Sequence, residues 1–320
     1  MTRTVIVVNP LGSALRHYSE ALLDNLARGG VDARLIVFDE PSASGSGALR
    51  WLVAYWLAVR RASRARPDSI IVAWPVAGYL DLALVTLAAP GVTSRLIVHD
   101  PRPLVRARGS GRFGQFVARV VGRGRIIVHS ELARHDVVED TGVAPALLPH
   151  PVLPAAPARP APREAVVRVL GQFKRDRDVA MLESLAGELQ GEFALEVHGR
   201  GWPTVHGWSV RDAFVEEVEL DELIRSSVAV LIPYRRFYQS GIAVRSLEVG
   251  TPFIGPAGSS LGDLGADPAH LPDSTSDDAA VRARRWAAAV RAAAEGDGVP
   301  LHAASSADRV GSVWGGALRG

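Results

Sequence analysis

Short apolar runs that alternate with helical stretches along nearly the whole chain constrain this sequence more than any other feature. In the first half, runs at Thr4–Val8, Ala33–Phe38, Ser69–Ala73, Arg95–His99, Arg125–His129 and Ala146–Leu148 read as strands. Between them, Ser13–Arg28 carries Leu15, Leu22, Leu23 and Leu26 at helical spacing, and Leu49–Ala65, Gly78–Leu87 and Gly114–Val121 also read as helices. The alternation resumes with strands at Val166–Leu170, Ala194–His198, Val228–Pro233 and Pro252–Ile254, and with helices at Asp178–Leu189, Leu220–Ser226 and Asp277–Glu295. Apolar strands this short, separated by helices, predict parallel sheets covered on both faces. Six of the fourteen residues from Pro149 to Pro162 are proline, which makes that stretch extended and semi-rigid. The expected architecture is therefore α/β, with two doubly wound domains at 1–150 and 164–320 and a proline-rich linker at 151–163. Beyond Glu295 the Gly- and Ser-containing tail specifies little.

Composition removes several classes of function. The chain has 320 residues, 48% hydrophobic and 22% charged, enough for two cores and typical of a globular protein. With no cysteine there are no disulfides, thiolate metal sites or cysteine nucleophile, and a cytoplasmic location is expected. The opening MTRTVIVVNP reads as a first core strand rather than a signal peptide, and no run of about 18 apolar residues is present to span a membrane. Net charge is +2, but residues 1–163 hold 20 basic and 12 acidic groups while 164–320 hold 16 and 22. The first half should favour anionic surfaces or substrates. In Leu49–Arg66, Trp51, Tyr55 and Trp56 lie among Arg50, Arg60, Arg61, Arg64 and Arg66. That segment reads either as a core helix with arginines at its end or as a contact with an anionic membrane surface, peripheral on the inner face of the cell membrane. The stretch from Arg102 to Arg125 is a second basic candidate. No nucleic-acid-binding module is recognisable, so nucleic acid is not an expected partner.

Chemistry is expected at strand ends. Asn9-Pro10-Leu11-Gly12-Ser13 follows the first strand, and Gly12 would let a ligand approach the next helix; His17 lies one turn on. This is not GxGxxG, which disfavours a dinucleotide cofactor. His99-Asp100 and His129-Ser130 end two further strands, as a proton donor or sugar-hydroxyl partner in one reading and as polar caps over the core in the other. In the second half, Gly171 to Asp178 puts Lys174, Arg175 and Arg177 directly after a strand. They would clamp a diphosphate or form a solvated loop balanced by Asp176 and Asp178. The segment Val230–Gly255 joins a strand through Tyr234, Gln239 and the Ser240-Gly241 step to a helix and a second strand. Backbone N–H groups at such a helix start suit a phosphate. There is no HExxH pattern and no GxSxG elbow, so neither a metal site nor an α/β-hydrolase is expected.

These pieces in this order resemble the GT-B glycosyltransferases, particularly the retaining family 4 group that uses nucleotide sugars. The resemblance rests on Asn9 to His17, on His99-Asp100, and on Val128-His129-Ser130-Glu131 through Gly142-Val143 to Leu148-Pro149-His150-Pro151-Val152. It continues at Gly171 to Asp178 and at Tyr234 to Gly250-Thr251-Pro252. It implies two Rossmann-like domains facing across a cleft, the first on the acceptor side and the second on the donor side, with no cofactor. It further implies donor contacts from Gly171, Lys174, Arg177, Arg200, Tyr234, Gln239, Ser240, Gly241, Arg245 and Glu248. Acceptor contacts would come from Gly12, Ser13, His17 and His129, with His99 and Asp100 at the reacting centre. The implied partners are a nucleoside-diphosphate sugar and a glycan, lipid-linked or small-molecule acceptor. Many members carry two glutamates eight positions apart ahead of Gly-Thr-Pro, whereas the matching positions here are Phe237 and Arg245. A non-catalytic nucleotide-sugar or glycan-binding protein on the same scaffold is the rival expectation.

Overall fold

The computed structural model describes residues 3–39, 45, 47–103, 109–154, 164–296 and 302–319. The chain forms two compact units, Met1–Leu153 with Ser306–Gly320, and Pro154–Ser305. Most of the proline-rich linker, residues 155–163, lies outside the described residues.

The first unit contains strands β1 (Thr4–Asn9), β2 (Asp32–Val37), β3 (Ser69–Val72), β4 (Thr93–Ile97), β5 (Ile126–Val128) and β6 (Ala146–Leu147). Its helices are α1 (Arg16–Arg28), α2 (Ala48–Arg64), α3 (Leu80–Ala88), α4 (Arg112–Val121) and α5 (Glu131–Thr141). The sheet is parallel, in the order β2-β1-β3-β4-β5-β6. Only β1 to β2 runs one way along the sheet; every later crossover runs the other way. Right-handed crossovers then put α2, α3, α4 and α5 on a common face, and each packs beside the next. Every residue of β3 and β5 is buried, which is why the central strands read as continuous apolar runs.

The second unit contains β7 (Val166–Leu170), β8 (Ala194–His198), β9 (Ser209–Arg211), β10 (Ala229–Leu231) and β11 (Phe253–Ile254), with α6 (Val179–Glu188), α7 (Glu217–Ser226), α8 (Gly241–Val249) and α9 (Ala279–Glu295). Its parallel sheet has the order β11-β10-β7-β8-β9. The core is dominated by α9 on α6: Ala283, Trp286, Ala287 and Val290 pack with Met181, Leu182, Leu185 and Leu189. A buried ion pair crosses the same contact, Arg282 to Asp178 at 2.8 Å, and Asp178 also caps α6 by accepting the Met181 N–H at 3.2 Å.

The structure corrects the expected second boundary. The tail forms α10 (His302–Arg319), and from Ser306 onward it belongs to the first unit rather than to 164–320. Glycine makes this possible. A Cβ on Gly29, at the end of α1, would run into the Gly311 carbonyl oxygen, and one on Gly315 would run into the Gly29 carbonyl oxygen. With no side chain at 29, 311 or 315, the helix backbone settles directly on the end of α1. Trp314 is fully buried and its Nε1 donates to the Pro149 carbonyl at 3.0 Å. Arg319 donates to the Gly29 carbonyl at 2.6 Å, and Arg28 pairs with Asp308 at 2.6 Å.

Candidate functional site

In the second unit, the loops after β7, β8 and β10 converge. Gly171 leaves β7 with φ +93°, a conformation costly for a residue with a Cβ. Its N–H donates to the His198 carbonyl at 2.9 Å, and its own carbonyl accepts from Trp202 Nε1 at 2.8 Å. Gly199, after β8, presses on this carbonyl so closely that a Cβ would collide with it. Phe173 N–H donates to the Arg200 carbonyl at 2.8 Å. The two loops are thus knitted together before any ligand is considered.

Arg177 holds the loop from beneath. Its Nη2 donates to the carbonyls of Leu170 (2.9 Å) and Gln172 (3.1 Å). The guanidinium lies between the rings of Trp202 and Tyr234, 4.7 Å from each centroid. It is 6% exposed, and this burial lowers its pKa. The placement argues against the expected diphosphate clamp at Arg177: Nη2 and both faces of the guanidinium are committed to the protein, although Nε has no partner. Lys174 and Arg175, exposed on the same loop, are the cations that solvent and ligands can reach. Arg200 is exposed too, with its guanidinium over Phe214 at 5.2 Å.

The start of α8 faces the Gly171 turn. Ser240 caps it by accepting the Ala243 N–H at 3.3 Å, so its hydroxyl serves the helix first. Gly241 is exposed, and a Cβ there would meet nothing within 4 Å. The Ile242 side chain lies 3.8 Å from where a Gly171 Cβ would sit. The first N–H groups of a helix have no intrahelical acceptor and sit at its positive end. The exposed Gly241 backbone at this helix start, with the Gly171 turn opposite it, therefore suits a compact anion. Tyr234 is half-buried over Arg177, and Gln239 is half-buried beside the cap. Arg245 points elsewhere, pairing with Asp221 at 3.0 Å and Glu217 at 3.6 Å on α7. That commitment argues against its expected donor contact. Glu248 is buried at the far end of α8.

In the first unit, Gly12 adopts φ +51°, and a Cβ there would strike the Asp39 carboxylate. Asn9 braces the turn, with Nδ2 donating to the Gly12 carbonyl at 3.1 Å and Oδ1 accepting from Leu11 N–H at 2.9 Å. The observed close approach at Gly12 is therefore to Asp39. The Ser13 side chain, expected on the acceptor side, lies outside the described residues.

His99 and His129 belong to a cluster that sequence reading saw only in part. Tyr18 packs against His99 (4.7 Å), His129 (5.7 Å) and His150 (5.3 Å), and Trp74 stacks on His99 at 5.0 Å. His99 Nε2 lies 2.8 Å from the Ala73 carbonyl, which requires the proton on Nε2 and makes Nδ1 the acceptor of the neutral ring. By the same reasoning His129 donates from Nδ1 to Leu148 O at 2.9 Å, and its Nε2 accepts the Tyr18 hydroxyl proton at 2.8 Å. Both nitrogens of His129 are used internally, so its expected acceptor contact gives way to a packing role. Burial, and then the neighbouring His150 and His99, push His129 well below the usual histidine range. His150 is lowered to about 3, chiefly by burial. Asp100 and His17, partly buried, accompany the cluster in sequence. The strand-end histidines and the Leu148–Val152 motif with His150 were its sequence signal; Tyr18 and Trp74 carried none. In the second unit Trp202 was missed in the same way, since its only cue was the glycine before it.

No protein-family model matches the sequence, and no curated protein matches it by sequence. Solved structures do match by fold. A trehalose-phosphate synthase from Burkholderia xenovorans, described as UDP-forming, superposes with a TM-score of 0.61 at 11% identity, covering 100% of this chain and 99% of that one. AviGT4, a glycosyltransferase involved in avilamycin A biosynthesis, gives 0.60 at 16% identity, covering 99% and 95%. TarM from Staphylococcus aureus, solved with UDP bound, gives 0.54 at 11% identity. The chain spans 55% of TarM's length, and 79% of this chain is matched. At these identities the similarity is one of fold: two Rossmann-like α/β units of the GT-B glycosyltransferase type.

Proposed function

We propose that the chain is a glycosyltransferase that takes a sugar from a nucleoside-diphosphate donor. The observation that carries this reading is the cradle in the second unit, where the Gly171 turn faces the start of α8 with Lys174 and Arg175 exposed on the same loop. A diphosphate matches its charge and its backbone donors. Stabilising the departing diphosphate, rather than a side-chain nucleophile, would then lower the barrier. Gly171, Lys174, Ser240 and Gly241 are the donor residues of this proposal, with Tyr234 and Gln239 beside them. The fold similarity to TarM, solved with UDP, and to a UDP-forming synthase supports testing UDP-sugars first. The acceptor, a glycan, lipid-linked or small molecule, is assigned to the first unit, with His99 and Asp100 nearest the chemistry. Retention of configuration and peripheral attachment to an anionic membrane belong to the same proposal.

A panel of nucleotide sugars assayed for nucleoside diphosphate release tests it. Release from one donor, lost on Lys174→Ala with Arg175→Ala while the thermal midpoint stays put, is the expected result. A second reading is favoured by Phe237 and Arg245 at positions where relatives often carry glutamate: a binding protein on the same scaffold. Donor binding without release across several acceptors would select that reading, and failure to bind any nucleotide sugar would remove both.

A further inference from the structure

Helices α2, α3 and α4 lie side by side on one face of the first sheet, and their outer surface is unusual. On α2, Tyr55, Ala58, Val59 and Ala62 face inward, yet the outer side also carries Leu49, Val53, Trp56 and Leu57, with Leu57 60% exposed. A groove of about 240 Å³ runs between α2 and α3, lined only by apolar and aromatic side chains, among them Leu52, Trp56, Leu84 and Val85. On α4, Gly114 and Ala118 are the buried residues, while Phe113, Phe116 and Val120 are 70%, 59% and 64% exposed. These three fall three and four residues apart and so form one stripe. Arg112 and Arg119 lie beside it on the helix, and Arg123 follows just past its end. Arg119 spends Nε on the Thr141 carbonyl at 3.0 Å, which leaves Arg112 and Arg123 as the outward cations. Arg50, Arg60, Arg61 and Arg64 are exposed on α2.

Residues 48–64 and 112–123 contain no acidic residue. The one acid of α3, Asp81, is fully buried and accepts from the Val76 and Ala77 backbone at 2.5 and 3.1 Å. This surface therefore joins apolar area to uncompensated positive charge. Water favours neither exposed Phe stripes nor a dry groove.

We propose that this three-helix face docks on an anionic lipid bilayer. Phe113, Phe116, Trp56 and Leu57 enter the boundary between headgroups and acyl chains, and the arginines meet lipid phosphates. Charge complementarity selects this occupant. A second copy of the chain would set arginine rows against arginine rows, and a soluble polyanion would leave the Phe stripe in water. The inference extends the membrane part of the proposed function from one helix to three. It stands apart from the glycosyl-transfer part, because its test reads no activity.

The test is flotation of the full chain with phosphatidylcholine vesicles, with and without phosphatidylglycerol. Binding is expected only with phosphatidylglycerol and should weaken as salt rises. Phe113→Ser with Phe116→Ser should lower partitioning about tenfold. Arg60→Gln with Arg61→Gln should lower it about fivefold per arginine. Both pairs are exposed, so an unchanged thermal midpoint is the check on folding. Brominated acyl chains should quench tryptophan fluorescence, and Trp56→Phe should remove most of that quenching. No flotation with phosphatidylglycerol at low salt would overturn the proposal, as would flotation indifferent to both variant pairs. So would a concentration-dependent dimer, without vesicle binding, that the Phe variants dissolve.

Discussion

Arg177 and Asp81 show how the setting of a charge decides its role. Arg177 follows a strand in a cation-rich loop, which suggests a ligand clamp, yet its guanidinium is bonded to loop carbonyls and held between Trp202 and Tyr234. Its ring partners are distant in sequence, so no local pattern announces the burial. Arg177→Ala should cost about 2–4 kcal/mol from lost carbonyl bonds and ring contacts. Arg177→Lys should not restore it, because an ammonium cannot reproduce the planar fork. Urea denaturation of both variants checks this; a loss confined to donor affinity would return Arg177 to the role of clamp. Asp81 is governed by burial. Desolvation raises its pKa from 3.8 to about 7, outweighing the two backbone N–H groups that favour the carboxylate. The fold therefore prefers the protonated acid. Its stabilising effect is complete below pH 3.8 and is lost as pH rises through about 7, at about 1.4 kcal/mol per pH unit between those values. His129 and His150, with depressed values, act in the opposite sense: stability is lost as pH falls below 6.5, down to about 3 in the case of His150. Asp81→Asn should consequently stabilise the protein more at pH 8 than at pH 5, by denaturant titration. An equal effect at both pH values would refute the assignment.

At the scale of elements, what could be read from sequence follows burial. Strands β3, β5, β7 and β10 are buried throughout, and their apolar runs were legible. The three-residue edge strand β9 is half-exposed and left no such trace. The Gly171 turn and the Ser240-Gly241 helix start were legible because special backbone needs select glycine and small capping residues. Helix α10 was not, since its glycines are also typical of a loop. They serve close packing instead: Gly311 and Gly315, four residues apart, share one helix face against Gly29. Gly315→Val should push α10 off α1 and uncover Trp314, at a cost of about 1–3 kcal/mol. Thermal unfolding and protease susceptibility of the last helix would both report it. Gly316→Val, where a Cβ meets nothing within 4 Å, should leave both unchanged. Loss of stability in the two variants alike would count against close packing at Gly315 as the cause.

Across the whole molecule, the charge asymmetry between the halves of the sequence persists, slightly reduced, between the two units. The first unit carries 20 basic and 13 acidic residues and the second 16 and 21. The positive excess lies in the unit with the three-helix apolar face, and the anion cradle lies in the acidic unit. A donor site there, as proposed, would have to select its ligand by backbone geometry and a few placed cations, because the general field of its unit is unfavourable to anions. The return of α10 to the first unit has a further consequence for how the protein is made. The second unit is continuous in sequence, whereas the first is assembled from both ends of the chain. During synthesis the later-made unit has all its residues before the earlier one does. The strands of the first sheet are all made by Leu147, but the end of α1 stays uncovered and the Pro149 carbonyl unmet until Trp314 leaves the ribosome.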